Sequence, residues 1–277
     1  NDEKNEYTAQ IGLIGIDVAA EGPFSKKSKA SYLANYRYSF TGLLSSMGVD
    51  FGGEANKYQD LSFNINLPTK KAGTFTVFGM GGISSNVFTA DRDSTVWEVE
   101  KDGKDIIFKN KMGAGGITHA VSLGSKTAWN TTIVASGLKT TRESYDVEVA
   151  QENRNIMDSD EVIKSRISLS TGFTYRINAK NRLKLGAYVT KQHDEMVKVY
   201  YVPFYWRSPG VLDGWLFQPY LNWTSHLTDR ITMEVGLHSM FSKVKDHREE
   251  SKSFNLEPRA AIKMQLANSQ QLSFSYG

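Results

Sequence analysis

The sequence predicts an all-β protein, an antiparallel up-and-down transmembrane β-barrel, and three observations carry that reading. Apolar and polar residues alternate with period two along much of the chain. Charged residues sit at mid-strand positions on the polar side of the alternation. Short polar turns alternate with long irregular segments.

The alternation is clearest over 58–67, where Leu61, Phe63, Ile65 and Leu67 face one way and Asp60, Ser62, Asn64 and Asn66 the other. Ile167, Leu169, Phe173 and Tyr175 alternate with Arg166, Ser168, Ser170, Thr174 and Arg176. Leu183, Leu185, Ala187 and Val189 alternate with Arg182, Lys184, Gly186 and Thr190. Later come Ile231, Met233, Val235 and Leu237 against Thr232 and Glu234, then Ala260, Ile262 and Met264 against Arg259, Lys263 and Gln265. Leu272, Phe274 and Tyr276 close the series. Short turns centred on Lys26, Lys70, Ser125, Lys180, Asp229 and Ser269 define six hairpins, hence about twelve strands. The longer segments 41–56, 87–110, 141–160, 191–214 and 242–253 fall on the opposite rim. A soluble sandwich has turns about every 8–12 residues and nothing gathers its long loops at one end; a membrane barrel has that layout.

The charges set the solvent of each face. Asp17, Asp60, Arg166, Arg176, Lys184, Glu234, Arg259 and Lys263 lie on the polar side, and an isolated buried charge costs several kcal/mol. That side must meet water, so Asp60, Asn64, Arg166, Arg176, Lys184 and Glu234 are expected to face a lumen. The apolar side has neither an amphipathic helix nor a second apolar sheet to cover it, which leaves lipid. Tyr32, Tyr36, Tyr38, Tyr175, Tyr188, Tyr220 and Trp223 are expected near strand ends at the membrane interface; the alternative is packing within a soluble sheet.

Composition removes other classes. The 277 residues hold 33 Lys+Arg against 30 Asp+Glu, a net charge of +3, too small and too evenly spread for a nucleic-acid binder. No cysteine is present, which excludes disulfide scaffolds, cysteine metal sites and thiol catalysis. The mean hydropathy of −0.41 and the lack of a long uncharged apolar run exclude a transmembrane helix. The first residues are polar, with neither the basic nor the apolar part of a signal peptide.

Motifs for chemistry are sparse. His119, His193, His226, His238 and His247 show no metal-ligand spacing, and His193 is expected at the start of a loop. Gly113-Ala114-Gly115-Gly116 is expected to start a strand instead of joining strand to helix, so it cannot cradle a phosphate. Asp158-Ser159-Asp160-Glu161 and Asp91-Arg92-Asp93 are acidic clusters expected in long loops, neither a complete calcium loop. No serine, histidine and carboxylate set stands out; an outer-membrane enzyme would need a serine and a histidine on neighbouring strands near the long-loop rim. The reading is therefore of a non-enzyme without cofactor or metal. The segment from 191 to 214 is dense in aromatics. Tyr200, Tyr201, Tyr205, Trp206 and Arg207, with Trp97 and Trp215 on other long segments, are the candidate ligand contacts. The competing reading is that these rings pack their own loop or extend an aromatic girdle.

Ile14-Gly15-Ile16-Asp17-Val18-Ala19-Ala20-Glu21-Gly22-Pro23-Phe24, followed by Ala30-Ser31-Tyr32-Leu33-Ala34-Asn35-Tyr36-Arg37-Tyr38-Ser39, resembles the early barrel hairpin of TonB-dependent outer-membrane receptors. The type with an N-terminal carboxypeptidase-regulatory-like domain is the most similar. Tyr58-Gln59-Asp60-Leu61-Ser62-Phe63 and Leu67-Pro68-Thr69-Lys70-Lys71-Ala72-Gly73 resemble its second hairpin, and the likeness covers residues 7–90, with architecture alone beyond. The resemblance implies a 22-stranded barrel in the Gram-negative outer membrane, a plug filling the lumen, a TonB box pulled by the inner-membrane motor, and an imported nutrient ligand. Against it, residues 1–277 contain no plug or TonB box, and Ser275-Tyr276-Gly277 is not a terminal aromatic signal. The chain is expected to be a partial barrel domain, with the plug and the C-terminal strands elsewhere. The alternative is a complete twelve-stranded passive channel or an outer-membrane enzyme.

Overall fold

The computed structural model describes all residues except 1–2, 13–14, 26–28, 40, 42–43, 45–47, 50–53, 149–152, 203 and 268. Thirteen strands form one antiparallel sheet in which each pairs with the next in sequence. They are β1 Glu6–Gly12, β2 Gly15–Pro23, β3 Ser31–Ser39, β4 Glu54–Pro68, β5 Thr74–Phe88, β6 Lys104–Ser122 and β7 Thr127–Glu148. There follow β8 Asn153–Arg176, β9 Asn181–Tyr200, β10 Trp206–Thr228, β11 Ile231–Lys245, β12 Glu250–Ala267 and β13 Gln270–Tyr276. Among the described residues β1 and β13 pair on one side only. The strand beyond the expected twelve is β1, where Tyr7, Ala9 and Ile11 alternate with Thr8 and Gln10. Residues 13–14, between β1 and β2, lie outside the described residues, as do Lys26, expected at the centre of the first short turn, and Asn268, expected in the last.

Pairing register sorts the side chains into two faces. One cross-strand row runs Ser31, Asn66, Thr76, Thr118, Thr132, Ser170, Tyr188, Gln218, all polar. The Thr118 and Thr132 hydroxyls lie 3.0 Å apart in it. Ser31 opens its strand, whereas Gln218 lies well inside β10, so the register is staggered as tilted strands of a barrel wall require. The charged residues expected on the wet side share this face, and Arg37 Nε donates to Asp60 Oδ1 at 2.9 Å there.

The other face is an apolar belt open to the surroundings. Leu61, Ile133, Ile167 and Phe274 are 48%, 54%, 58% and 60% exposed. Among the described residues the buried apolar side chains are Ala90, Ile106, Val147 and Val199, which do not make a core. A single layer with this much exposed hydrocarbon is not stable in water; in lipid each covered Leu or Ile gains about 1.5–3 kcal/mol. Trp129, Tyr175 and Trp223 stand on this face toward the short turns, and Trp215, Phe241 and Phe254 toward the other end, as two girdles. Tyr188 and Tyr220, expected at the interface, are instead on the polar face, stacked with centroids 5.5 Å apart.

Three of the five long segments are mostly strand, whereas 87–110 contains the β5–β6 connection with its two short 3-10 helices and 41–56 lies largely outside the described residues. Residues 141–160 continue β7 and β8, 191–214 continue β9 and β10, and 242–253 continue β11 and β12, with connections of only a few residues. Apolar alternation fades there because both faces carry polar groups, yet pairing persists under ion pairs such as Lys139–Glu161 at 2.7 Å. In consequence Asp158-Ser159-Asp160-Glu161 lies in β8, His193 lies inside β9, and Gly113-Ala114-Gly115-Gly116 is in the middle of β6 rather than at its start. Among the described residues no group of His, Asp or Glu is arranged to hold a metal ion.

Short polar side chains make the turns. Thr69 Oγ1 accepts from Ala72 N at 3.0 Å beside Gly73, whose φ of 81° is a left-handed conformation suited to glycine. Asn178 Oδ1 accepts from the Lys180 and Asn181 amides, each at 2.9 Å. In the β5–β6 connection Asp93 Oδ1 accepts from Thr95 N and Oγ1, and Asp102 Oδ2 from the Glu98 and Val99 amides. These bonds hold both carboxyls below their ordinary range, Asp93 chiefly through the Thr95 hydroxyl and Asp102 chiefly through the Val99 amide.

Two outcomes follow. A Cβ at Gly186 would lie 2.3 Å from the Thr171 carbonyl oxygen and 2.6 Å from the Tyr220 hydroxyl. Gly186→Val is expected to cost about 1–3 kcal/mol, read as a lower temperature at which the heat-modifiable band on a detergent gel unfolds. Second, because Asp93 and Asp102 titrate lower when folded, their contribution to the β5–β6 connection is complete above the ordinary carboxylate pKa of 3.8 and is lost as pH falls through the depressed values. Pepsin cleavage between 89 and 103 is therefore expected to rise as pH drops below 3.8, and Asp102→Asn to weaken that dependence.

Candidate functional site

The β9–β10 tip gathers five of the seven expected ligand contacts. Tyr200 ends β9 and Trp206 opens β10; they pair directly, with ring centroids 5.7 Å apart. Tyr201 and Tyr205 form a second, edge-on pair at 6.0 Å, and Phe204 between them is 82% exposed. Pro203 lies outside the described residues. Arg207 follows Trp206 on the opposite face and is exposed. The other two stand apart. Trp215 is further down β10 on the apolar face, with Lys191 Nζ 5.6 Å from its ring centre. Trp97 folds onto its own connection, its Nε1 donating to the Asp91 carbonyl at 2.9 Å and its ring lying over Gly103.

Charged groups that the sequence reading did not count among the ligand contacts complete the tip. Lys198 Nζ lies 4.9 Å from the centre of the Tyr200 ring and 4.0 Å from Asp160 Oδ1. Arg142 pairs with Asp158 and lies 3.8 Å from Asp160. Asp158, Asp160, Lys198, Tyr200 and Trp206 share the polar face, so the aromatic pair stands directly above a mixed-charge wall. The sequence signal for this wall is the pair of alternate acids Asp158 and Asp160 and, on the neighbouring strand, Asp194 and Lys198 at the same parity, which a search for apolar alternation passes over.

Lower on the polar face, Lys184 and Glu234 line one cavity of about 530 Å³, together with Tyr188, Tyr220, His238 and Arg259. His238 Nδ1 lies 3.0 Å from Glu257 Oε2, and Arg259 Nη2 donates to the same oxygen at 2.9 Å. Asp60, Asn64, Arg166 and Arg176 are on the same face but not around this cavity.

Ser165, His193 and Asp213 are direct neighbours across β8, β9 and β10, the order that a nucleophile, base and acid would take. The hydrogen bonds are not those of a triad. His193 Nδ1 is 2.7 Å from Asp213 and Nε2 is 2.9 Å from Glu195, so neither nitrogen is left for a serine, and Ser165 Oγ donates to the His193 carbonyl at 3.4 Å. His119 is similarly occupied, stacked on Phe75 at 4.4 Å and bonded to the Ala72 carbonyl at 2.6 Å.

No protein family and no curated protein matches the sequence. Solved structures match the fold. The siderophore receptor PiuA from Acinetobacter baumannii superposes with a TM-score of 0.71 at 11% identity, over 98% of this chain and 48% of its own. The pyoverdine outer membrane receptor FpvA from Pseudomonas aeruginosa PAO1 gives 0.74 at 11% identity, over 99% and 46%. The ferric-catecholate import receptor Fiu from E. coli K12 gives 0.70 at 9% identity, over 100% and 54%. The chain thus spans about half the length of the receptors it matches. With one face apolar, the other charged and the register staggered, its fold is that of the barrel wall of outer-membrane siderophore receptors.

Proposed function

We propose that residues 1–277 are part of the β-barrel domain of a TonB-coupled receptor in the outer membrane of a Gram-negative bacterium, importing a nutrient ligand. The observation that carries this reading is the sheet itself: a lipid-ready belt on one face and a charged face behind it, overlaid along almost its whole length on siderophore receptors. In this reading the charged face lines the lumen and meets a plug belonging to the same parent protein, which the inner-membrane TonB complex displaces. The chain's part in uptake is binding and passage, without covalent chemistry.

The ligand is met first at the β9–β10 tip. The exposed rings of Tyr200, Tyr201, Tyr205 and Trp206, with Lys198 and Arg207 near them, suit a ligand with planar groups and negative charge. Such rings bind at little entropic cost because each has two side-chain torsions to fix.

The full-length product is expected in the outer-membrane fraction with a heat-modifiable shift on a detergent gel; recovery as a soluble monomer without detergent overturns the reading. Against a panel of ferric siderophores, Trp206→Ala with Tyr200→Ala is expected to weaken binding of the recognised member by about 1–3 kcal/mol, with the gel shift unchanged. Unaltered binding removes the tip from the site.

A further inference from the structure

We infer that the short-turn rim is a polybasic contact for anionic phospholipid headgroups of the inner leaflet, centred on Lys70, Lys71, Lys126 and Lys180. The inference rests on the outer-membrane placement of the sheet, not on uptake.

The two rims carry opposite charge. On the short-turn rim the connections 24–30, 69–73, 123–126, 177–180, 229–230 and 268–269 hold eight Lys or Arg and a single acid, Asp229. On the other rim the connections 13–14, 40–53, 89–103, 149–152, 201–205 and 246–249 hold nine Asp or Glu and three Lys or Arg. The net charge of +3 therefore conceals a separation of charge along the strands. Short turns of such barrels face the periplasm, so the basic end lies at the inner leaflet.

This positive charge is not spent within the chain. Lys26 and Lys27 lie outside the described residues. Lys29, Lys70, Lys71, Lys126, Lys180 and Arg230 are exposed and have no acidic partner among the described residues. On the other rim Arg92 pairs with Asp105 at 3.2 Å, and Lys101 Nζ lies 3.6 Å from the centre of the Phe88 ring. Successive short turns are two strand spacings apart, about 10 Å, which is comparable with the screening length of about 8 Å at physiological ionic strength. Their lysines repel one another over that distance, and an anionic surface along the rim offsets the repulsion.

Height decides which anionic surface the rim meets. Leu67, three residues before Lys70, and Trp129, three residues after Lys126, stand on the apolar face. Three residues of strand span about 10 Å, and strand tilt makes the vertical drop smaller still. A lysine stem lies back along apolar surface while its ammonium stays in water, so these charges end among the headgroups that border the lower girdle. A polymer or protein of the periplasm lies farther off. Basic segments beside a bilayer attract anionic lipid, and the attraction fades within a screening length.

The test mixes the full-length protein in dodecyl maltoside with equal amounts of phosphatidylglycerol and phosphatidylethanolamine of the same acyl chains. Native mass spectrometry then counts the lipids retained. Phosphatidylglycerol is expected in at least about threefold excess, shrinking toward parity as ammonium acetate is raised to about 1 M, where the screening length is about 3 Å. The combined variant Lys70→Gln, Lys71→Gln, Lys126→Gln, Lys180→Gln is expected to bring the two lipids close to parity. Lys101→Gln with Arg248→Gln, on the other rim, is expected to keep the excess of the parent. Equal retention of the two lipids by the parent, an undiminished excess in the short-turn variant, or the same loss in both variants overturns the contact. So does a parent protein that sediments with purified peptidoglycan while showing no preference between the lipids. Heat modifiability on a gel checks folding; if the fourfold variant fails that check, Lys70→Gln with Lys71→Gln is read in its place, with a smaller loss expected and no loss overturning the contact. Recovery of the parent protein as a soluble species would instead remove the membrane placement itself.

Discussion

Backbone pairing under hydrocarbon is the constraint on which the rest of this structure depends. An unpaired N–H or C=O within a bilayer costs several kcal/mol, and a strand has no partners for these groups except its neighbours. From β2 to β12 each strand is paired on both sides, in sequence order, with no crossover. Once pairing is fixed, register has little freedom. A slip of one residue in β4 would put Asp60 into lipid and Leu61 into water. The same logic places Arg37 beside Asp60 and sends Tyr188 and Tyr220 to the wet face, where Gly186 makes room for them.

Above the belt the stabilising terms change while the backbone pattern does not. Crossing a bilayer at a tilt takes about 9–11 residues, yet β8 has 24 and β10 has 23. The surplus length is held by ladder hydrogen bonds and cross-strand ion pairs, among them Lys139 with Glu161 and Arg142 with Asp158. Exposed pairs of this kind are individually weak; here they are added to an already formed ladder and keep its side chains ordered.

This division explains what was legible in the sequence. The belt was, because Leu61, Phe63 and Ile65 or Leu183, Leu185 and Val189 write the period of a strand in hydrophobicity. The short turns were too, since residues such as Asn178 and Gly73 have side-chain or backbone reasons to be there. The extended halves of β7 to β10 were not, because with water on both sides Asp158, Asp160, Lys198 and His193 need no apolar partner face and leave no such period. β1 escaped because Leu13 and Ile14, between Gly12 and Gly15, are apolar and give no turn signal in the sequence. For the candidate site, the aromatic density of 200–206 pointed to one tip, but sequence proximity could not say that Trp97 folds back over Gly103 or that Trp215 faces the apolar side.

The continuation of β9 and β10 to Tyr200 and Trp206 has a kinetic consequence. A ring pair carried on a paired ribbon is presented at a fixed height and orientation, with little backbone freedom left to surrender on contact. In the proposed role, capture at such a post resembles collision with a rigid mast more than closure of a lid, so encounter would be governed by diffusion and charge instead of by the slow settling of a floppy arm.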